Sequence, residues 1–157
     1  MSPLAPGTPV PEFVLRREDG STFTREDLLG TTTVLVFYPF AFTAVCTDQL
    51  NLYDEVLDEL AAQGATLYAI SCDSTATQRA FKKHLGITIE QLSDWEPKGE
   101  TCRAFGVYHP AGFPQRALVI VDPDGTVRWS HQADSIADLP GANLIFDALA
   151  ARDEQPR

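Results

Sequence analysis

The sequence predicts an α/β domain with a central mixed β-sheet flanked by helices. Two apolar runs rich in β-branched and aromatic residues, 33–38 and 66–71, have the length and composition of buried strands. Between these runs, apolar residues recur at helical spacing over residues 43–63. A strand–helix–strand order requires a right-handed crossover, so the two strands are expected to be parallel.

The length of the chain favours one domain. Its 157 residues lie near the commonest domain size, and 44% of them are apolar, which is enough for one compact core. We therefore predict a single domain over residues 1–157. It begins with an extended arm, residues 1–11, because four prolines oppose helix formation there. Residues 152–157 follow the last predicted helix, 141–151, and are expected to fray.

Turn signals place the other elements. Segments 12–16 and 21–24 flank Asp19-Gly20, which predicts an N-terminal β-hairpin. A second hairpin is predicted for residues 117–121 and 126–131, and its antiparallel strands would make the central sheet mixed. The remaining expected elements are a helical turn at 24–30, a loop at 92–99 and a short helix at 100–105. A further helix is expected to start with a cap at residues 73–75, to carry Phe81 and Leu85 and to be closed by Gly86.

Charge and hydropathy argue against two classes of partner. The net charge of −10 leaves no basic excess to neutralise a phosphate backbone, so no nucleic acid partner is expected. No segment approaches the roughly 18–20 unbroken apolar residues of a membrane helix, so no membrane partner is expected either. The N-terminus lacks a charged-then-apolar secretory pattern, and the protein is expected to stay inside the cell.

The cysteines and histidines predict a reducing compartment and no metal. Cys46, Cys72 and Cys102 are widely spaced, odd in number and form no C-x-x-C pair, which indicates the cytoplasm rather than a disulfide scaffold. The three histidines show no ligand spacing with these cysteines. Neither a metal nor another cofactor is therefore expected.

Cys46 is the candidate nucleophile. It lies in the first turn of the helix predicted after the first apolar strand, where unsatisfied N–H groups and the helix dipole favour a thiolate. Thr43 lies three residues earlier and can bring a hydroxyl towards the sulfur, while Pro39 ends the strand. The alternative is that Cys46 is a small buried hydrophobic residue, as many free cysteines are.

The pattern Pro39-x-x-x-Thr43-x-x-Cys46 resembles the active-site signature of the peroxiredoxins, which are thiol peroxidases with a thioredoxin-like fold. The N-terminal region and the run from residue 92 to residue 108 are also similar to that family. The resemblance implies that Cys46 is the peroxidatic cysteine, that Thr43 hydrogen-bonds the peroxide and that Pro39 shields the thiolate. It implies a peroxide substrate, hydrogen peroxide or an alkyl hydroperoxide, and a homodimer.

Arg116 is the candidate cation for this site. An arginine stays charged and can offer two donors to sulfur and oxygen together. Arg116 precedes a strand expected beside the central one, and in the peroxiredoxins an arginine at the head of that strand completes the site. The alternative is a surface arginine at a strand end.

The chain departs from the two-cysteine peroxiredoxin pattern. Asn51 occupies the position five after Cys46 where one subgroup has its resolving cysteine, and no cysteine lies near the C-terminal helix. The sequence is therefore most similar to the one-cysteine, AhpE-type subgroup, which implies that an external thiol restores Cys46. Thioredoxin, a glutaredoxin-like protein and a low-molecular-weight thiol all remain open. Gln49 stands where many members carry glutamate.

The sequence leaves other interpretations of its cysteines and of its function open. Cys102 follows an irregular loop and could resolve Cys46, whereas Cys72 closes a predicted strand and is expected to be structural. A peroxide sensor or chaperone-like binding protein could share the same fold. A thioredoxin-type disulfide reductase is disfavoured, because Thr43 and Gln49 occupy the two positions where a C-x-x-C partner would lie.

Overall fold

The computed structural model describes residues 2–154, except for the side chains of residues 152–154. The strands are β1 (Val14–Arg17), β2 (Thr22–Thr24), β3 (Thr32–Phe37), β4 (Ala65–Ser71), β5 (Glu90–Ser93), β6 (Tyr108–His109), β7 (Phe113–Pro114), β8 (Ala117–Val121) and β9 (Val127–Gln132). The helices are α1 (Ala44–Asp54), α2 (Leu57–Ala62), α3 (Thr75–Leu85), α4 (Glu100–Ala104) and α5 (Ala142–Glu154), with a 3-10 turn at Arg25–Leu28.

Seven strands form a mixed sheet in the order β2-β1-β5-β4-β3-β8-β9. Strands β3 and β4 are parallel, with Phe37 opposite Ile70, which confirms the parallel pairing predicted from the sequence. Strands β3 and β8 are antiparallel, with Phe37 opposite Ala117. The residue before β8 is therefore brought to the carboxyl end of β3, where the candidate site begins.

Strand β3 separates two apolar cores because successive side chains point to opposite faces of the sheet. Leu35 and Phe37 belong to one core, together with Cys72, Cys102 and Phe105. We call this the Phe37 core. The other face carries the Val36 core, whose buried members include Val34, Val36, Tyr38, Cys46, Leu50, Tyr53 and Phe81. All six residues of β3 are buried because one apolar core covers each face of the strand.

The N-terminal region folds as its turn signals predict. Strands β1 and β2 pair antiparallel around the Asp19-Gly20 turn. The following 3-10 turn begins with a capping box between Thr24 and Asp27. In the preceding arm, Leu4 N–H donates to the Phe105 carbonyl and Val10 N–H to the Gly125 carbonyl. These bonds hold residues 2–11 against the body of the domain.

The helix predicted over residues 43–63 is two helices in the structure. Helix α1 ends at Asp54, and α2 begins at Leu57. At the break, Asp54 Oδ1 accepts hydrogen bonds from the backbone N–H of Thr88 at 2.8 Å and of Ile89 at 3.2 Å. This contact with a distant loop lies outside the local apolar periodicity, so the sequence pattern predicted one continuous helix.

Three further differences concern short or terminal elements. Strand β5 overlaps a segment predicted as a loop, and it pairs with β4 and β1. The strand was not predicted because its polar residues lack the apolar pattern of a strand. The hairpin of β6 and β7 was not predicted. Helix α5 continues to Glu154, so residues 152–154 are helical rather than frayed, and the rest of the predicted tail, 155–157, lies outside the described residues. Among the helices within residues 2–154, none has the length and apolar character needed to span a bilayer.

Candidate active site

The site begins where β3 turns into α1. Tyr38 N–H still donates to the Ile70 carbonyl at 3.0 Å, but Pro39 has no N–H and ends the strand. Ala41 N–H then donates to Asp73 Oδ2 at 2.8 Å, which ties the turn to the segment after β4. Phe42 adopts a positive φ of 66°, a conformation that costs a non-glycine residue roughly 1–2 kcal/mol. Such a turn is held by its surroundings, and it fixes where α1 starts.

Cys46 lies in the first turn of α1, as the sequence predicts. Thr43 is the N-cap residue and Ala44 the first helical residue, so Cys46 is the third. Its side chain is completely buried in the Val36 core. The Thr43 hydroxyl is exposed and donates to the Phe40 carbonyl at 2.8 Å rather than capping the helix. Because its proton is used in that bond, the hydroxyl oxygen is free to accept a hydrogen bond from a bound molecule.

Arg116 is brought to the sulfur by the pairing of β8 with β3. The residue is only 3% exposed, and its guanidinium donates three hydrogen bonds. Nη2 donates to Cys46 Sγ at 3.3 Å and Nη1 to Gln49 Oε1 at 2.6 Å. Nε donates to the Ile136 carbonyl at 2.7 Å. The structure thus brings Pro39, Thr43, Cys46 and Arg116 to one place, and its arginine contacts the candidate nucleophile directly.

Gln49 belongs to a chain of polar contacts beneath the arginine. Gln49 Nε2 donates to the Tyr53 hydroxyl at 3.3 Å, and that hydroxyl donates to the Pro140 carbonyl at 2.6 Å. Burial raises the pKa of Tyr53 to about 12, so this hydroxyl keeps its proton at neutral pH. Sequence reasoning noted Gln49 only as a departure from glutamate. Tyr53 was not predicted as a site residue, because its helical spacing indicated only that it belongs to an apolar helix face.

A shallow pocket opens above this site. It is lined by Pro39, Phe40, Thr43, Ala44, Val45, Arg116, Ile136 and Ala137. Most of this wall is apolar, and its polar groups are the Thr43 hydroxyl and the Arg116 guanidinium. Arg116 lines the pocket and also contacts Cys46, so the pocket extends to the guanidinium that donates to Cys46 Sγ.

The other two cysteines lie on the opposite face of the sheet. Cys72 and Cys102 are buried in the Phe37 core, whereas Cys46 is in the Val36 core. Burial, reinforced by the neighbouring Cys72 and Asp94, raises the pKa of the Cys102 thiol well above its usual range. A protonated thiol on the far side of the sheet is poorly placed to attack an oxidised Cys46. The geometry therefore does not favour Cys102 as a resolving cysteine.

Comparison with known proteins identifies the family. A sequence profile described as the AhpC/TSA family matches residues 6–130. The chain belongs to this peroxiredoxin family. It is 31% identical over 147 residues to alkyl hydroperoxide reductase E of Mycobacterium tuberculosis, an alignment covering 92% of this chain and 95% of the relative. It is 33% identical over 139 residues to a putative thioredoxin peroxidase of Encephalitozoon cuniculi, covering 82% and 77% of the two chains.

Solved peroxiredoxin structures share the fold. AhpC of Enterococcus faecalis superposes with a TM-score of 0.86 at 25% identity, over 95% of this chain and 92% of that one. Peroxidoxin BcpB of Mycobacterium tuberculosis superposes with a TM-score of 0.80 at 25% identity, over 98% and 99% of the two chains. These findings confirm the predicted thioredoxin-like fold. They also confirm that this peroxiredoxin is a thiol-dependent peroxidase, an oxidoreductase that uses a peroxide and a thiol reductant.

Proposed function

We propose that Cys46 is the sulfur that reduces the peroxide, with Arg116, Thr43 and Pro39 completing the site. The 3.3 Å contact between Arg116 Nη2 and Cys46 Sγ carries this assignment. A guanidinium that is itself buried supports an anion at the sulfur, as do the N–H groups at the start of α1. Pro39 is buried beside the site and helps to keep bulk water from it.

The chemistry is a displacement at oxygen. The Cys46 thiolate attacks one peroxide oxygen, the S–O bond forms and the O–O bond breaks. Negative charge grows on the departing oxygen, which leaves as water or an alcohol once protonated. Arg116 can stabilise that charge, and the Thr43 oxygen can accept the hydrogen bond of the peroxide O–H. The sulfur is oxidised to a sulfenic acid.

An external thiol completes the cycle. Its sulfur attacks the Cys46 sulfenic acid, water leaves and a mixed disulfide forms, and a second thiol then releases reduced Cys46. The burial of Cys72 and Cys102 on the other face of the sheet supports an external rather than an internal reductant. A relative named thioredoxin peroxidase makes thioredoxin the first candidate to test, beside glutaredoxin-like proteins and low-molecular-weight thiols.

Exchange of Cys46 for serine tests the assignment. The C46S variant should lose peroxide turnover with every thiol donor, while the control T47S in the same helix should retain it. After one equivalent of peroxide and no reductant, the native protein should gain one oxygen on Cys46. Loss of two hydrogens instead would mean an internal disulfide. Slow turnover with a trapped mixed disulfide would favour a peroxide sensor, and undiminished turnover by C46S would refute the assignment.

The pocket wall supports alkyl hydroperoxides as substrates in addition to hydrogen peroxide. Phe40, Val45 and Ile136 offer apolar surface beside Arg116, and relatives carry the name alkyl hydroperoxide reductase. The variant I136A keeps the backbone carbonyl that binds Arg116 but removes apolar side chain. We expect it to reduce kcat/KM for cumene hydroperoxide by about 5- to 150-fold, because about 1–3 kcal/mol of apolar contact is lost, and to spare kcat/KM for hydrogen peroxide. Equal losses for both peroxides would remove the argument for an alkyl site.

We also propose a homodimer that works in the cytoplasm. Phe40 and Ile136 line the pocket and are 43% and 37% exposed, and Phe42 in the same turn as Phe40 is 52% exposed. An interface would cover such exposed apolar side chains. Three free cysteines support a reducing compartment. Light scattering on a size-exclusion column should give twice the mass of one chain, and F42E should reduce it to a single chain. Cell fractionation should place the protein with cytoplasmic markers, and its recovery outside the cell would reject that location.

A further inference from the structure

Three metal-ligating side chains meet in the Phe37 core, away from the peroxidase site. Cys72 directly follows β4, Asp94 directly follows β5, and Cys102 is in α4. The two Sγ atoms and a carboxylate oxygen of Asp94 all lie within 4.8 Å of one another. All three residues are buried. Two thiols and a carboxylate converging inside a core form an unusual cluster, because carboxylates are rarely buried.

We propose that Cys72, Asp94 and Cys102 form a binding site for a zinc ion. Thiolate and carboxylate are both ligands of Zn²⁺, which prefers a tetrahedral arrangement with Zn–S near 2.3 Å and Zn–O near 2.0–2.2 Å. Those bond lengths place neighbouring donors roughly 3.5–3.8 Å apart. Starting from separations of at most 4.8 Å, the donors need to close by no more than about 1.3 Å. A disulfide between the two cysteines would instead require the sulfur atoms to approach to about 2.05 Å.

The carboxylate is already held in place for this role. Asp94 Oδ1 accepts a hydrogen bond from Thr101 N–H at 3.2 Å, and Oδ2 accepts one from Cys102 N–H at 2.9 Å. Its own N–H donates to the Ser71 carbonyl at 2.9 Å. Each carboxylate oxygen retains a further lone pair for a metal. Hydrogen bonds of this kind orient metal ligands in known sites.

The strands that carry the site are also fixed. Ser71 pairs with Ser93 in the β4–β5 ladder, so the residues that follow each strand, Cys72 and Asp94, emerge side by side. Cys72 is 7% exposed and Asp94 4%, whereas Cys102 is fully buried, so an ion would enter from the side of Cys72 and Asp94. Binding releases two thiol protons to water and involves no oxidation. Three protein ligands leave one position for a water molecule.

The test uses the reduced, metal-free C46S protein, in which every proposed zinc ligand is intact. With zinc chloride, native mass spectrometry and competition against a chromogenic chelator should show one zinc per chain. Cobalt(II) should give the sulfur-to-metal charge-transfer absorption of a thiolate site. Added zinc should also protect Cys72 and Cys102 from alkylation. Absence of zinc binding by C46S protein that keeps the circular dichroism of the native protein would overturn the proposal, since no ligand has been changed.

Ligand variants made in the same background locate the ion. C72S, C102S and D94N should each weaken zinc binding by about tenfold or more, because each removes one of three protein ligands. Far-UV and near-UV circular dichroism should confirm that each variant is folded. Zinc retained by the C72S/C102S double variant, or zinc bound without cobalt charge transfer, would assign the ion to surface groups and reject the site. If the protein still lacks two hydrogens after the zinc has been removed in acid, the two cysteines have formed a disulfide, and that result would also reject the site. None of these results bears on the Cys46 assignment, which lies on the other face of the sheet.

Discussion

At the scale of single residues, the guanidinium of Arg116 connects three parts of the chain. It binds the helix that carries Cys46 through Sγ and through Gln49, and the Ile136 carbonyl in the segment before α5. Gln49 and the carbonyl are neutral acceptors. Arg116 therefore brings a whole positive charge to the sulfur, which a carboxylate at position 49 would partly offset.

Replacement of Arg116 by lysine tests whether peroxide reduction requires the planar guanidinium group or only its positive charge. An ammonium group cannot bind the sulfur, the amide and the carbonyl together, so R116K should lower kcat/KM for hydrogen peroxide by at least about tenfold. Stopped-flow measurement of peroxide consumption gives this ratio. The control R79K changes an exposed arginine that donates to the Glu18 carbonyl, and its rate should equal that of the native protein. Native rates in R116K would show that charge alone is sufficient at this position.

Gln49 should matter for stability because it accepts a hydrogen bond from a buried guanidinium. Q49L leaves Arg116 Nη1 without that acceptor and should lower the free energy of unfolding by about 2 kcal/mol. Q49E restores an acceptor of the same shape and should lose much less. Urea denaturation of both variants measures the difference. Equal stability of Q49L and Q49E would mean that the contact contributes little.

At the scale of elements, the site depends on how the turn between β3 and α1 is anchored. The sequence predicted strand, turn and helix correctly because local apolar periodicity and Pro39 determine them. It did not predict the bond from Ala41 N–H to Asp73, which comes from the segment after the neighbouring strand β4. The break after Asp54 and strand β5 were missed for the same reason, since each depends on contacts between distant segments.

Loss of the Asp73 carboxylate should loosen this turn. D73A leaves Ala41 N–H without its acceptor, so Cys46 should be displaced relative to Arg116. We expect peroxide reduction to slow by about tenfold, since a shift of about 1 Å in a reacting group can cost up to 10²-fold in rate. D73N keeps an oxygen acceptor and should recover most of the rate. Stopped-flow kinetics on the two variants decide the matter. If D73N is as slow as D73A, the negative charge of Asp73 rather than the anchor is responsible.

At the scale of the whole molecule, the sheet divides the chemistry between its two faces. The Val36 core holds Cys46, and the Phe37 core holds Cys72 and Cys102. Pro39, Thr43, Cys46 and Arg116 could be predicted to converge because the first three share one local motif and the pairing of two apolar strands brings the fourth. Tyr53, Ile136 and Pro140 could not be predicted as site residues, since their contacts join α1, the residue before β8 and the segment before α5. Those contacts depend on side-chain geometry that periodicity does not encode.

Tyr53 should also make the stability of the whole fold depend on pH under alkaline conditions. Its pKa is raised by burial from 10.0 to about 12 in the folded protein. Below about pH 10 the tyrosine is neutral in both folded and unfolded states, so its full contribution is present. Between about pH 10 and about pH 12 the unfolded chain ionises first, and the folded state loses about 2–3 kcal/mol relative to it.

Comparison with Y53F isolates this effect. Phenylalanine does not ionise, so the free energy of unfolding of Y53F should fall less steeply than that of the native protein above about pH 10. Tyr38, whose pKa burial also raises, is present in both proteins and its contribution cancels. Below pH 10, Y53F should be less stable by about 1 kcal/mol, because the bonds to Pro140 and Gln49 are lost. The two curves should therefore converge above about pH 10 and cross before about pH 12, because the ionisation loss of about 2–3 kcal/mol exceeds the initial difference of about 1 kcal/mol. Parallel curves would mean that Tyr53 ionises in the folded state as readily as in the unfolded chain, and that the hydroxyl beneath Arg116 is accessible to solvent.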